Sequence, residues 1–173
     1  MFDTIVAATD GSDHSRRAVD IAAGLAAAQG SKLVLVHVLG HGEVPEGLRR
    51  LAEVEQLVKP ERASAPQTAD VSSGLAIAER RDTEAHLARI HEAIGDRLLA
   101  DARSACVGAG VENIALVKET GDPAKAIVRC ADVEGAGLVV MGTRGMSELG
   151  GLLMGSVSHK VCQLAPCPVL TAK

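Results

Sequence analysis

The chain has 173 residues with 47% apolar content, which suits about one domain at roughly 100–200 residues each and is enough to close an ordinary core. Eighteen Lys and Arg against 22 Asp and Glu leave a formal net charge of -4 with no long block of like charge, which disfavours duplex nucleic acid as a partner. Phe2 is the sole aromatic residue, so the core must be built from Ala, Val, Leu and Ile, and base stacking on rings is disfavoured as a binding mode.

Thr4 to Ala8 is a short β-branched and apolar run, a strand, and Asp10, Gly11 and Ser12 after it supply turn and N-cap chemistry. In the helix that follows, Ala18, Ile21, Ala22, Leu25 and Ala28 recur at helical spacing, which assigns them to the inner face, and Gly30 is placed to stop it. Lys32 to Leu39 is rich in Val and Leu with little alternation, as in a strand covered on both faces. The stretch from about Gly40 to Ser73 breaks the pattern with Pro45, Pro60 and Pro66 around a short helical piece, Leu48 to Val58, and reads as an insertion into a single domain spanning residues 1–173.

From about Leu75 a long helix carries Leu87, Ile90, Ile94, Leu98, Ala102 and Ala105 on one face and ends near Gly108. A third strand is expected from Glu112 to Lys118. Asp122 then precedes Pro123 as an N-cap followed by proline at the first helical position, and the inner face of that helix is Ile127, Val128 and Ala131. Leu138 to Met141 reads as a fourth buried strand, Gly155 to about Leu164 as a last helix and Pro168 to Thr171 as a final strand. Strands alternating with helices in this way predict an α/β fold with an open parallel sheet and right-handed crossovers. Ligands in such sheets sit beyond the carboxyl ends of the strands, where strand order reverses, so the loops after Thr9, Leu39 and Met141 are the ones to inspect.

Other chemistry has little local support. Cys106, Cys130, Cys162 and Cys167 show no CxxC spacing and read as buried reduced thiols. His37 and His41 fall on a strand and its loop, and His86 and His91 are five apart on a helix; neither pair makes a helical zinc motif, and the second reads as part of a solvated face. No GxSxG elbow or HExxH is present, and no residue is evidently placed to orient water against a γ-phosphate, so no catalytic residue and no protein metal site is expected. Met1 runs into the first strand without a basic and apolar leader, and no apolar stretch approaches the roughly 20 residues of a membrane span, so a cytoplasmic protein without membrane insertion is expected.

The loop after the fourth strand reads GTRGMSELGGLLMGSVSHKV from Gly142 to Val161. Glycines allow backbone amides to approach phosphate oxygens, and a helix opening near Gly155 offers unpaired N–H groups and the positive end of its dipole. Taken by itself, a glycine-rich loop before a helix is equally the pattern of a flexible connection, and Asp10 is equally a turn acid. The spacing is neither that of a P-loop nor that of the dinucleotide-binding GxGxxG.

Glycine, two residues, glycine, nine residues, glycine and serine, met here at Gly142, Gly145, Gly155 and Ser156, is similar to the ATP-binding motif of the universal stress protein family. The opening IVAATDGSDHSRRAVDIA, LVLVHVL from Leu33, GDPAKAIV from Gly121, LVVMGTRG from Leu138 and APCPVL from Ala165 resemble the same family in the same order, so the resemblance covers all but the insertion. It implies a five-stranded Rossmann-like sheet in the order 3-2-1-4-5 with helices on both faces. It also implies ATP as ligand, with any Mg²⁺ or Mn²⁺ held by the phosphates, and a homodimer through the last strand. Carried over by position, Asp10 contacts the nucleoside with Ala8 and Thr9 beside it, and the backbone of Val38 reads the adenine edge. Met141, Gly142, Thr143, Arg144, Gly145, Met146 and Ser147 wrap ribose and phosphates, and Ser156, Val157 and Ser158 complete the phosphate site. Ala8 stands where some relatives have proline. The implied role is a nucleotide-responsive regulator of stress or growth arrest; the alternatives are a nucleotide-free dimeric interaction module and a slow ATPase.

Overall fold

The computed structural model describes residues 1–40, 73–146 and 154–173, and side chains of the long helix from residue 84 onward. The helical piece at Leu48–Val58, His41 and most of the expected insertion lie outside the described residues. The chain divides into two units, Met1–Leu39 with Gly95–Lys173, and Gly40–Ile94. In the second, Ile90, His91 and Ile94 are buried, and a Cβ on Gly40 would stand 2.7 Å from the His91 ring. His91 is therefore not part of a solvated face, against the reading of the spacing alone.

In the first unit, β1 (Thr4–Ala8), β2 (Lys32–Val38), β3 (Ile114–Glu119), β4 (Leu138–Gly142) and β5 (Val169–Ala172) form one parallel sheet in the order β3-β2-β1-β4-β5. This is the expected order, with β3 starting and ending slightly later than the periodicity placed it. Helices α1 (Asp13–Gln29), α2 (Ser73–Gly108), α3 (Pro123–Val133) and α4 (Ser156–Leu164) are the connections. β1, β2 and β4 are buried nearly throughout because each lies between two other strands and under two layers, so no polar alternation survives in TIVAA, KLVLVHV or LVVMG.

The pleat divides the core in two. Ile5, Ala7, Leu33, Leu35, Leu138 and Val140 pack with Ala18, Val19, Ala22, Ala23 and Ala26 of α1 and Leu99 and Cys106 of α2. Val6, Ala8, Val34, Val36, Val139 and Met141 face the other way, onto Ala124, Ile127, Cys130 and Ala131 of α3 and Val161 of α4. Small alanines on α1 let the helix lie close to the sheet, and the branched residues of the strands fill the space an aromatic core would otherwise occupy. Leu35 is fully buried, so cutting it to Ala would cost about 2–5 kcal/mol.

The phase of α1 differs from the expected one: Ile21 is 40% exposed and Ala28 is exposed, whereas Val19, Ala23 and Ala26 are inside. On α2, Leu99 and Cys106 are buried while Ala105 is exposed. Ser12 caps α1 by accepting the Ser15 N–H, and Gly30 closes it in the left-handed region at φ 67°. Asp122 caps α3 by accepting the Lys125 N–H, with Pro123 in the first turn as expected.

Cys106 and Cys130 are buried, and burial first, then a nearby acidic side chain, pushes each thiol up to about 11, which keeps both protonated and inert at neutral pH. Cys162 is exposed on α4 and Cys167 half-buried, so the expectation of four buried thiols holds for only two. No helix among the described residues is long and apolar enough to cross a membrane.

Candidate functional site

β1 and β4 are neighbours whose chain connections leave in opposite directions across the sheet, β1 toward β2 and β4 toward β5, which is the switch point of this topology. Beyond their carboxyl ends lies a cavity of about 230 Å³, formed wholly within the unit Met1–Leu39 and Gly95–Lys173. Ala8, Thr9 and Asp10 line it from β1, Val38 from β2, Met141, Gly142, Thr143, Arg144 and Gly145 from β4 and its loop, and Gly155, Ser156, Val157 and Ser158 from the start of α4. Every residue selected from the sequence is thus in the lining except Met146, whose side chain is exposed, and Ser147, which lies outside the described residues.

One end of the cavity is apolar, built from Val36, Val38, Ile127 and Pro123. Strand register sets what the backbone offers there. Leu33 and Leu39 donate their N–H groups toward the β3 side, to Asn113 O at 2.9 Å and Glu119 O at 2.8 Å, whereas Val36 O accepts from Thr9 N at 3.0 Å on the β1 side. Alternation along the strand therefore sends the carbonyl of Val38 to the β1 side, past Ala8, where β1 has ended.

The other end is polar and made largely of main chain. Helix α4 opens at Gly155, which has no side chain to cap the first turn. The loop is drawn together at Thr143, whose carbonyl accepts Gly155 N at 2.7 Å and Ser158 Oγ at 2.8 Å. Ser158 is 2% exposed and its single hydroxyl proton is directed at the Thr143 or Gly155 carbonyl, so it buttresses the loop instead of offering a free donor. Arg144 also lines the cavity, and its Nε is buried and meets no hydrogen-bond acceptor among the described residues. A buried guanidinium N–H without an acceptor is costly, by about 1–3 kcal/mol or more.

Asp10 is tied to the protein at both oxygens: Oδ1 accepts Ser12 N and Oδ2 accepts Met146 N, each at 3.0 Å. A Cβ on Gly145 would stand 2.6 Å from that second oxygen, so a larger residue there must push the Asp10 carboxylate aside. Four lining residues, Ser15, Val36, Pro123 and Ile127, were not selected from the sequence. Nor was His14, whose Nδ1 lies 2.9 Å from Thr143 Oγ1. Among the described residues no three His, Cys, Asp or Glu side chains come together as a metal site.

A model of the universal stress protein family matches residues 1–173, the whole chain. The protein belongs to the universal stress protein family. A curated relative, a universal stress protein of Thermus aquaticus, is 35% identical over 180 residues, covering 100% of both chains. A solved universal stress protein in complex with cAMP is 28% identical, with TM-score 0.62 over 99% of this chain and 97% of its own. The universal stress protein of Archaeoglobus fulgidus in complex with dAMP shares the fold, with TM-score 0.57 over 98% of this chain and 96% of its own at 22% identity.

Proposed function

We propose that this universal stress protein binds an adenine nucleotide, ATP foremost, in the cavity beyond β1, β2 and β4, and that occupancy is the signal by which it acts as a regulator of stress or growth arrest. The observation that carries the reading is a cavity at the switch point whose lining brings Arg144 together with a helix start that has no side-chain cap. A phosphate there would accept from main-chain N–H groups at the positive end of α4 and pair with the charge of the Arg144 guanidinium. The apolar end, with Val36, Val38 and Ile127, suits the faces of a purine, and the Val38 carbonyl suits an exocyclic amine such as that of adenine. Two solved family members whose ligands are cAMP and dAMP support an adenine nucleotide as the class. In this reading a Mg²⁺ or Mn²⁺ that accompanies ATP is held by its phosphates, no residue is assigned a catalytic role, and the protein acts in the cytoplasm.

Isothermal titration with ATP, AMP and cAMP tests this on the wild type and Gly145→Val. ATP heats are expected for the wild type and not for the variant. No heat with any of the three, or equal heats for both proteins, would overturn the site; binding of AMP or cAMP without ATP would overturn the choice of triphosphate.

The reading includes a homodimer through the last strand. The two sheet edges differ: β3 carries Lys118 and Glu119, paired with Asp96 and Arg129, whereas VLTA in β5 has no charged residue and is only half-buried over Val169 to Thr171. An uncharged edge is the one that accepts a second copy, at Pro168 to Thr171. A monomer mass by light scattering across micromolar concentrations would count against it.

A further inference from the structure

The turn between β1 and α1, with the first turn of α1, touches the loop after β4 at three alternate residues. Asp10 Oδ2 accepts the Met146 N–H at 3.0 Å, Ser12 Oγ lies 3.5 Å from the Arg144 carbonyl, and His14 Nδ1 lies 2.9 Å from Thr143 Oγ1. The two segments also approach without room to spare: a Cβ on Gly142 would stand 2.9 Å from His14 Cβ, and one on Gly145 2.6 Å from Asp10 Oδ2. The turn is itself fixed from behind, because Asp10 Oδ1 accepts Ser12 N at 3.0 Å and His37 Nδ1 donates to the Thr9 carbonyl at 2.8 Å. Each oxygen of Asp10 therefore has a protein partner before any ligand arrives, and one end of the loop is held by a carboxylate while the other is held by an imidazole.

We propose that Asp10 and His14 are positioning residues that clasp Thr143 to Met146 in the shape that receives the phosphate. Asp10 then contributes to affinity through the Met146 amide, beside whatever its remaining lone pairs contribute in the cavity it lines. His14 does not line the cavity, so an effect of His14 on binding must pass through Thr143, which does. A loop ordered in advance loses less freedom when ligand binds, which is how such a clasp raises affinity. The inference rests on the nucleotide-site reading above.

The test pairs amide hydrogen exchange of the nucleotide-free full chain with ATP titration of the same variants. Asp10→Asn keeps the size but can satisfy only one of the two amides; it is expected to speed exchange at Met146 and weaken ATP, each by about tenfold. His14→Ala is expected to weaken ATP as well, and His14→Asn, which retains a hydrogen-bonding atom near the Nδ1 position, to restore it. Protection of the β2 amides Val34 and Val36 at wild-type level shows that the fold is intact. Weaker ATP binding in Asp10→Asn with unchanged Met146 exchange would mean direct contact with ligand and overturn the clasp. Faster exchange with unchanged affinity would overturn its bearing on binding, and no rescue by His14→Asn would remove His14 from it. A wild type that takes up no ATP sinks the nucleotide reading, and Met146 exchange in Asp10→Asn then decides the clasp by itself.

Discussion

Helices α1 and α4 start at the same end of the sheet, one after β1 and the other after β4, and are closed in opposite ways. At α1 the chain satisfies its own donors: Ser12 Oγ accepts Ser15 N at 3.2 Å, Ser15 Oγ donates to Ser12 O at 2.9 Å, and Asp10 accepts Ser12 N. At α4 the capping position is Gly155, with no side chain to cap the first turn, and Arg144, which lines the same cavity, has a buried Nε that meets no acceptor among the described residues. The difference teaches where a ligand adds something the chain lacks. An anion at α1 would compete with a cap already in place, whereas at α4 it supplies one.

The contrast can be broken from either side. The largest effect belongs to Gly145→Val, which must push the Asp10 carboxylate off the Met146 amide and crowd the cavity with its side chain; a loss of ATP affinity on the order of 100-fold is expected by titration calorimetry. Next is Arg144→Leu, which removes the unanswered donor. ATP affinity is expected to fall about tenfold, and the gap between variant and wild type to narrow at high salt; a salt-independent loss would mean that Arg144 acts by packing.

Ser12→Ala sharpens the other side. It uncaps α1 and should cost about 1 kcal/mol of stability in a urea titration, with a smaller change in ATP affinity than Arg144→Leu. The smallest effect is at α3, a second self-closed start. Its Asp122 carboxyl is held below the ordinary value, chiefly by accepting the Lys125 N–H, with Lys160 and Lys125 as lesser causes. A carboxyl lowered in the folded state contributes stability that is present above its unfolded value near 4 and is lost as pH falls through the lowered value. Asp122→Asn should therefore reduce stability slightly at neutral pH and leave the variant less sensitive than the wild type to acid. An unchanged acid limb in chemical denaturation would show that the cap carries no charge-dependent stability.

Much of the fold was legible because buried parallel strands announce themselves as unbroken runs: Leu33 to Val38 and Leu138 to Met141 read correctly from composition, as did the cap at Asp122, while for α1 the sequence offered Asp10, Gly11 and Ser12 together and the structure picked Ser12. Helix faces were less legible. In α1 nearly every third or fourth residue is apolar on more than one stripe, so Ile21 and Val19 were equal candidates until the sheet chose Val19. Helical phase is decided by what the helix lies on, and an alanine-rich sequence carries little of that information. Burial of His91 and exposure of Cys162 were missed for the same reason.

At the site, the glycine spacing from Gly142 to Ser156 and the acid at Asp10 stood out in the one-dimensional pattern, since main-chain contact with an anion demands small residues at set intervals. Ser15, Pro123 and Ile127 had no such mark: they enter the cavity because α1 packs beside β1 and α3 beside β2 and β1 in space. His14 is the sharpest case, a surface-type residue whose partner, Thr143, is 129 positions away. The sequence by itself determined the order of strands and helices, the glycine-rich loop after β4 and the family. Only the tertiary structure decided that Asp10 holds Met146 and that Arg144 Nε is buried with no acceptor among the described residues, because hydrogen-bond satisfaction depends on neighbours that backbone pairing, not sequence proximity, brings together.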